Sequence, residues 1–133
     1  MKKYVLLIIS ALLLLGTSCG KRAESKIVGE WSLISVGDCG WVDTASWVFY
    51  SGGDLHVKYD PVLNSGQSAQ HGEWEIFTRS LVTPYLKIGG SVGGLDGNWK
   101  IEKLNNKKLI IQRLEFPDGS QKGAFLRREF LKK

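Results

Sequence analysis

The chain has 133 residues, 18 of them basic and 13 acidic, for a formal net charge of +5. That length supports one domain. A positive balance this mild speaks to solubility and leaves out a nucleic-acid footprint, and two cysteines leave out a disulfide-dense scaffold.

At the N-terminus, Lys2 and Lys3 precede an apolar run from Tyr4 to Leu15, interrupted only by Ser10. The run is shorter than the ~20 apolar residues a bilayer span needs, and it has the charged-then-apolar order of a secretory signal. Small residues follow at Gly16, Thr17 and Ser18, and then comes Cys19. This arrangement resembles the lipobox of bacterial lipoproteins, which implies cleavage before Cys19 and acylation of its thiol with palmitate-type chains. Gly16 stands where the usual Leu would be, with Leu15 one place further out, which is similar to the looser boxes of Bacteroides-type bacteria. An ordinary cleaved signal with an incidental Cys19 is the competing reading. The segments are therefore 1–18 as signal, 19–25 as acylated cysteine and polar tether, and 26–133 as the folded domain. No later run is apolar enough to span a bilayer, so the expected membrane contact is the N-terminal lipid. Gly20 after Cys19 is not an Asp, and Lys21-Arg22-Ala23-Glu24 lacks an acidic cluster; the resemblance then implies the outer membrane, with the domain facing the periplasm. If Cys19 is acylated, Cys39 has no partner in the chain; without a nearby basic residue to lower its pKa, it reads as inert.

Beyond the tether, β-branched and aromatic residues alternate with polar ones and Gly recurs, with no amphipathic helix. Eight strands are expected, over Lys26–Val36, Ser46–Tyr50, Leu55–Tyr59, Gly72–Phe77, Leu81–Ile88, Asn98–Leu104, Lys108–Phe116 and Gln121–Leu131. Ser51-Gly52-Gly53-Asp54, Asn105-Asn106-Lys107 and Pro117-Asp118-Gly119-Ser120 carry tight-turn residues. Pro84 cannot donate to a ladder and predicts a bulge or an unpaired edge. Long connections (37–45, 60–71, 89–97) alternate with short ones over the first six. In an up-and-down antiparallel array that puts the long loops at one end. The expected fold is all-β: a single eight-stranded barrel with a tight base and a loop-rimmed mouth, either filled or holding one small ligand. The first and last strands then close the barrel. Arg128, in step with Leu126 and Phe130, is expected to point inward and lie over Trp31, a cation–π plug for the base.

Gly29-Glu30-Trp31 on the first strand with an Arg near the end of the last resembles the lipocalins. With Trp47-Val48-Phe49 before a Gly-Asp turn, Gly72-Glu73-Trp74, and a last strand ending in Lys132-Lys133, nearly the whole mature chain is similar to the lipocalin-like domain of small lipoproteins from Bacteroides-type bacteria. Members of that family suggest a disulfide from a Cys before the second strand to one after the third; Cys39 is present here, but Asp60–His71 holds no Cys.

Gly-x-Trp occurs at Gly29/Trp31, Gly72/Trp74 and Gly97/Trp99, each Gly expected to leave room for a neighbouring ring. The up-and-down reading puts Trp47, Tyr59, Trp74, Tyr85 and Trp99 near the mouth and Trp41 in a rim loop. These six are the candidate ligand-binding residues, lining a cavity for a small hydrophobic ligand; the plainer alternative is that the rings fill the upper barrel. Gly89–Gly94 lacks the Lys-Ser/Thr of a phosphate loop and reads as a flexible flap. His71 and Glu73 do not have a zinc-motif spacing, and His56 reads as solvent-facing. No nucleophile, base or metal constellation is visible, so neither an enzyme, a metal nor a cofactor is expected. Two functions remain open: a ligand-binding envelope lipoprotein, or a filled barrel that engages a protein partner through its rim loops.

Overall fold

The computed structural model describes residues 4, 20–35, 45–59, 68–80, 83–90, 94–116 and 118–133. They form one antiparallel sheet of eight strands in sequence order, closed into a barrel: β1 (Gly29–Ser35), β2 (Ala45–Phe49), β3 (Asp54–Tyr59), β4 (Gln70–Ser80), β5 (Thr83–Gly89), β6 (Gly97–Leu104), β7 (Lys108–Glu115) and β8 (Gln121–Lys132). β8 pairs with β1 through Leu33↔Phe130 and Trp31↔Lys132, which closes the sheet on itself. All eight expected strands are present. The bulge announced by Pro84 is there too: Pro84 pairs with Thr78, and the β4–β5 register shifts between Thr78 and Ser80.

Alternation along the strands sorts the faces. Leu55, Val57, Leu86, Ile88, Trp99, Ile101, Leu109 and Ile111 are buried in the interior. Lys58, Glu75, Lys87, Lys100 and Glu102 stand outside. An apolar inside with a charged outside is the inverse of a lipid-facing outer-membrane barrel. Among the described residues no helix is long and apolar enough to cross a membrane.

One element departs from expectation. Residues 20–27, read from the sequence as a polar tether leading into a strand, form a short helix, α1, and β1 begins only at Gly29. Ala23 and Ile27, four residues apart, share one face of the helix and are both buried. A two-residue stripe is too brief to register as helical periodicity; tertiary packing, not propensity, holds so short a helix.

The base is closed by three interlocking contacts. Trp31, fully buried, donates its indole N–H to the Ile27 carbonyl at 2.6 Å. Lys132 Nζ donates to the carbonyls of Lys26 at 3.1 Å and Val28 at 2.9 Å. The same ammonium lies 5.1 Å from the Trp31 ring centroid. The cation over Trp31 is therefore Lys132, which corrects the expectation for Arg128. β8 continues through Lys132, one residue past its expected end, and it is Lys132 that pairs with Trp31. Arg128 pairs instead with Ile111 and lies about 13 Å further up the strand at ~3.3 Å per residue. Its inward direction is as expected.

Two of the three Gly-x-Trp glycines, Gly29 and Gly97, serve a different purpose from the one the sequence suggested. Gly29 (φ +131°) and Gly97 (φ +140°) adopt positive φ. A Cβ on Gly29 would meet Lys132 Cε at 2.9 Å, and one on Gly97 would meet the Glu115 carbonyl oxygen at 2.3 Å. The first makes room for the lysine that seals the base; the second lets the β7 backbone approach where the β6–β7 register shifts.

Candidate functional site

Below the mouth the barrel is filled. Trp47 packs on Phe130 with ring centroids 4.9 Å apart, on Phe49 at 6.3 Å, and edge-on to Trp99 at 6.4 Å. Phe49 in turn meets Trp74 edge-on at 5.6 Å. These rings, with Trp31, occupy the space a deep ligand calyx would need. Among the described residues, the mouth end holds a cleft of about 120 Å³, lined by Leu33, Ala45, Trp47, Val57, Tyr59, Leu95 and Arg128. Ligand pockets for drug-sized molecules run to ~300–1,000 Å³. The cleft is a pit for one small group.

Its walls follow from strand parity. Leu33 comes from β1, Ala45 and Trp47 from β2, Val57 and Tyr59 from β3, and Arg128 from β8; these are neighbouring strands around the closure. The floor is the buried Trp47 ring, apolar and flat. Two polar groups interrupt the apolar wall, the Tyr59 hydroxyl, which donates to Gln70 Oε1 at 3.4 Å, and the Arg128 guanidinium. The pit can therefore take a small group that is partly apolar.

Of the six aromatics expected to line the mouth, the structure brings Trp47 and Tyr59 together at the pit. Trp99 is nearby but fully buried, its indole donating to the Leu95 carbonyl at 2.9 Å; it fills the core. Trp74 lies at the base, which corrects the mouth assignment. Its indole N–H reaches the carbonyls of Tyr50 and Asp54, each at 3.0 Å, across the β2–β3 turn. The reason is register: β3 pairs with only the first part of the long β4, Asp54 opposite Glu73, so Trp74 falls level with the base turn. Tyr85 is corrected likewise. β5 rises from the base, and Tyr85 near its start faces outward, stacked on Phe77 at 5.6 Å under the Arg79 guanidinium. Trp41, Cys19 and Cys39 lie outside the described residues.

Arg113 was not singled out by the sequence reading. It is 5% exposed, points inward from β7, and its guanidinium lies 5.4 Å from the Trp99 ring centroid. Nη1 donates to the carbonyl of Gly94 and, at 3.3 Å, to that of Asp96, while Nε is buried without a partner. Burial pulls its pKa down, and the Asp96 carboxylate pushes it back. Its role is to fix the segment entering β6 over the barrel. Its place in step with Leu109 and Ile111 was the signal available in the sequence.

On the outside, His56 and His71 face each other with ring centroids 4.2 Å apart. No cluster of three or more metal-ligating side chains occurs among the described residues.

No family model matches the chain, and no curated protein is similar enough to count as a relative.

Proposed function

We propose that the chain is a non-enzymatic envelope lipoprotein, held at the outer membrane by an acylated Cys19 and facing the periplasm, whose barrel binds a small, partly apolar group at its mouth. A closed eight-stranded barrel is compatible with a lipocalin-like binding fold. The observation that supports this reading is the pit itself, about 120 Å³ of space with an indole floor and a phenol and a guanidinium in its wall. It narrows the expected small hydrophobic ligand to a group, such as the end of a short chain or a single ring, that the filled barrel does not engulf. The anchor rests on the sequence around Cys19.

A second reading is favoured by the filled core. A barrel packed with Trp31, Trp47, Phe49, Trp99 and Phe130 has little to exchange with a free ligand, and the pit would then take one side chain of a protein partner held at the rim.

Native mass spectrometry of the mature domain, carrying Cys19→Ser and purified from cell envelope, separates the two. A small extra mass that leaves on denaturation supports the ligand reading. A co-purifying protein supports the rim reading. A bare mass, repeated after incubation with envelope lipid extract, sinks the ligand reading. The anchor is tested independently by incorporation of labelled palmitate into the native chain, which Cys19→Ser should abolish.

A further inference from the structure

We propose that the base of the barrel is a membrane-docking face that rests on anionic phospholipid headgroups, with the mouth held away from the bilayer. The proposal builds on the acylated Cys19 of the preceding reading and adds an orientation to it.

Two observations point to it. The first is that α1 is no spacer. Its described residues, 20–27, follow Cys19 directly in sequence and are fastened to the base by buried Ala23 and Ile27 and by the Lys132 bonds to the carbonyls of Lys26 and of Val28 just beyond it. Helix rises ~1.5 Å per residue, so acyl chains on Cys19 leave the protein within about 12 Å of the far end of α1. A barrel tied down so closely presents its base, not its mouth, to the lipid.

The second is charge. Between α1 and strands β5–β6 runs a groove of about 470 Å³ lined by Arg22, Lys26 and Lys103 around Ala23, Ile101 and Leu104. The carboxylate in that groove, Glu102, is held by Arg127 Nε at 3.1 Å. Lys21 on α1 and Lys107 in the β6–β7 turn add to the same end. None of these five cations forms an ion pair among the described residues, whereas Glu30 at this end is paired with Lys133 at 2.8 Å. Three carboxylates at this end, Glu24, Asp54 and Glu73, are likewise without an ion pair among the described residues, so the five cations prevail. Anionic headgroups attract such side chains within a Debye length of ~10 Å, the reach that α1 enforces. Long Lys and Arg stems over an apolar floor suit that boundary, with the stem on hydrocarbon and the head on phosphate.

The test uses the full chain, matured in its host, with the acylation state of the Cys19 peptide read by mass. The acylated protein is reconstituted into vesicles of phosphatidylcholine alone or mixed with phosphatidylglycerol, and its lysines are footprinted by reductive methylation. Lys21, Lys26 and Lys103 should be protected several-fold more than the wall residues Lys58 and Lys87 on the anionic vesicles, and not on the neutral ones. In the triple variant Arg22→Gln/Lys26→Gln/Lys103→Gln, protection at Lys21 should fall to the wall value. Equal reactivity of base and wall lysines in both lipids would overturn the proposal. If Cys19 proves unacylated, the anchor reading fails on its own, and flotation of the same chain with anionic vesicles tests the face alone. Salt-sensitive flotation, reduced about hundredfold in the triple variant at roughly fivefold per cation, is expected; absence of flotation refutes the docking face.

Discussion

The ammonium of Lys132 lies 5.1 Å from the centre of the Trp31 ring while donating to two carbonyls at the C-terminal end of α1. One side chain thus ties the last strand to the first and to the helix beneath them. A cation at a helix C-terminus also favours the helix dipole.

Replacing Lys132 with Met removes the charge-assisted hydrogen bonds and the cation–π contact while keeping most of the stem. The expected loss is about 1–2 kcal/mol of unfolding free energy, since the group is partly exposed. A urea midpoint comparison checks it. Lys132→Met should also lower amide protection in α1, which its two hydrogen bonds hold, and Arg128→Met should not; an equal loss of helix-region amide protection in both variants would contradict the assignment of the base plug to Lys132.

Gly97→Ala should be among the most damaging small substitutions in the chain. Its φ is +140°, and an added Cβ would stand 2.3 Å from the Glu115 carbonyl oxygen. Backbone strain of ~1–3 kcal/mol adds to that clash, so a loss of about 3 kcal/mol or more is expected. Gly20→Ala, where a Cβ meets nothing within 4 Å, serves as the neutral comparison. Similar melting temperatures for the two variants would be incompatible with the β6–β7 approach described.

Glu115 accepts a two-pronged contact from Arg79 and a hydrogen bond from Asn98 Nδ2 at 2.9 Å. The Arg79 contact first, and the Asn98 bond second, lower its pKa from 4.5 to about 2. A carboxylate whose folded-state pKa is depressed contributes its stability in full above its unfolded value and loses it as pH falls through the folded one. The advantage of wild type over Glu115→Gln should therefore be constant above about pH 5, shrink between 4.5 and about 2, and vanish below that. Arg79 is 43% exposed, so added salt should diminish the difference. A wild-type advantage unchanged between pH 6 and pH 2.5 would rule this out.

Arg113 is a buried charge with one N–H unpartnered. Replacing such a group with a hydrophobe of similar length is often near neutral. Arg113→Met should stay within about 1 kcal/mol of wild type and yet loosen residues 94–96, which lose the two Nη1 bonds to the carbonyls of Gly94 and Asp96. Faster amide exchange at Leu95 and Asp96 with an almost unchanged urea midpoint is the expected pair of results. Global unfolding of the variant would show the guanidinium to be structural.

The fold was legible in the sequence because its signals are local. Period-two alternation, the Ser51–Asp54 and Asn105–Lys107 turns, and Pro84 each mark an element wherever it ends up. The positions of Trp74 and Tyr85 were not legible, since they depend on the stagger between neighbouring strands, and a barrel's shear is not written in any one strand. Lys132 and Arg128 share the same parity along β8; choosing between them required knowing that β8 runs on to Lys132. The helix was hidden because Ala23 and Ile27 are its whole apolar face. The pit was half legible. Trp47 and Tyr59 stand out as aromatics, but Leu33, Ala45, Val57 and Leu95 resemble ordinary core residues until the closure brings them together.

The claim that binding takes place in the mouth pit is tested most directly by filling it. Ala45 is 4% exposed in the pit wall, and Ala45→Leu would add three carbons to a space of about 120 Å³. Wild type and variant, both carrying Cys19→Ser and both purified from envelope, are compared by native mass spectrometry, with circular dichroism confirming that the variant is folded. The pit account predicts a small bound mass on wild type and none on the folded variant. The same bound mass at the same occupancy on both would place the binding elsewhere and contradict it.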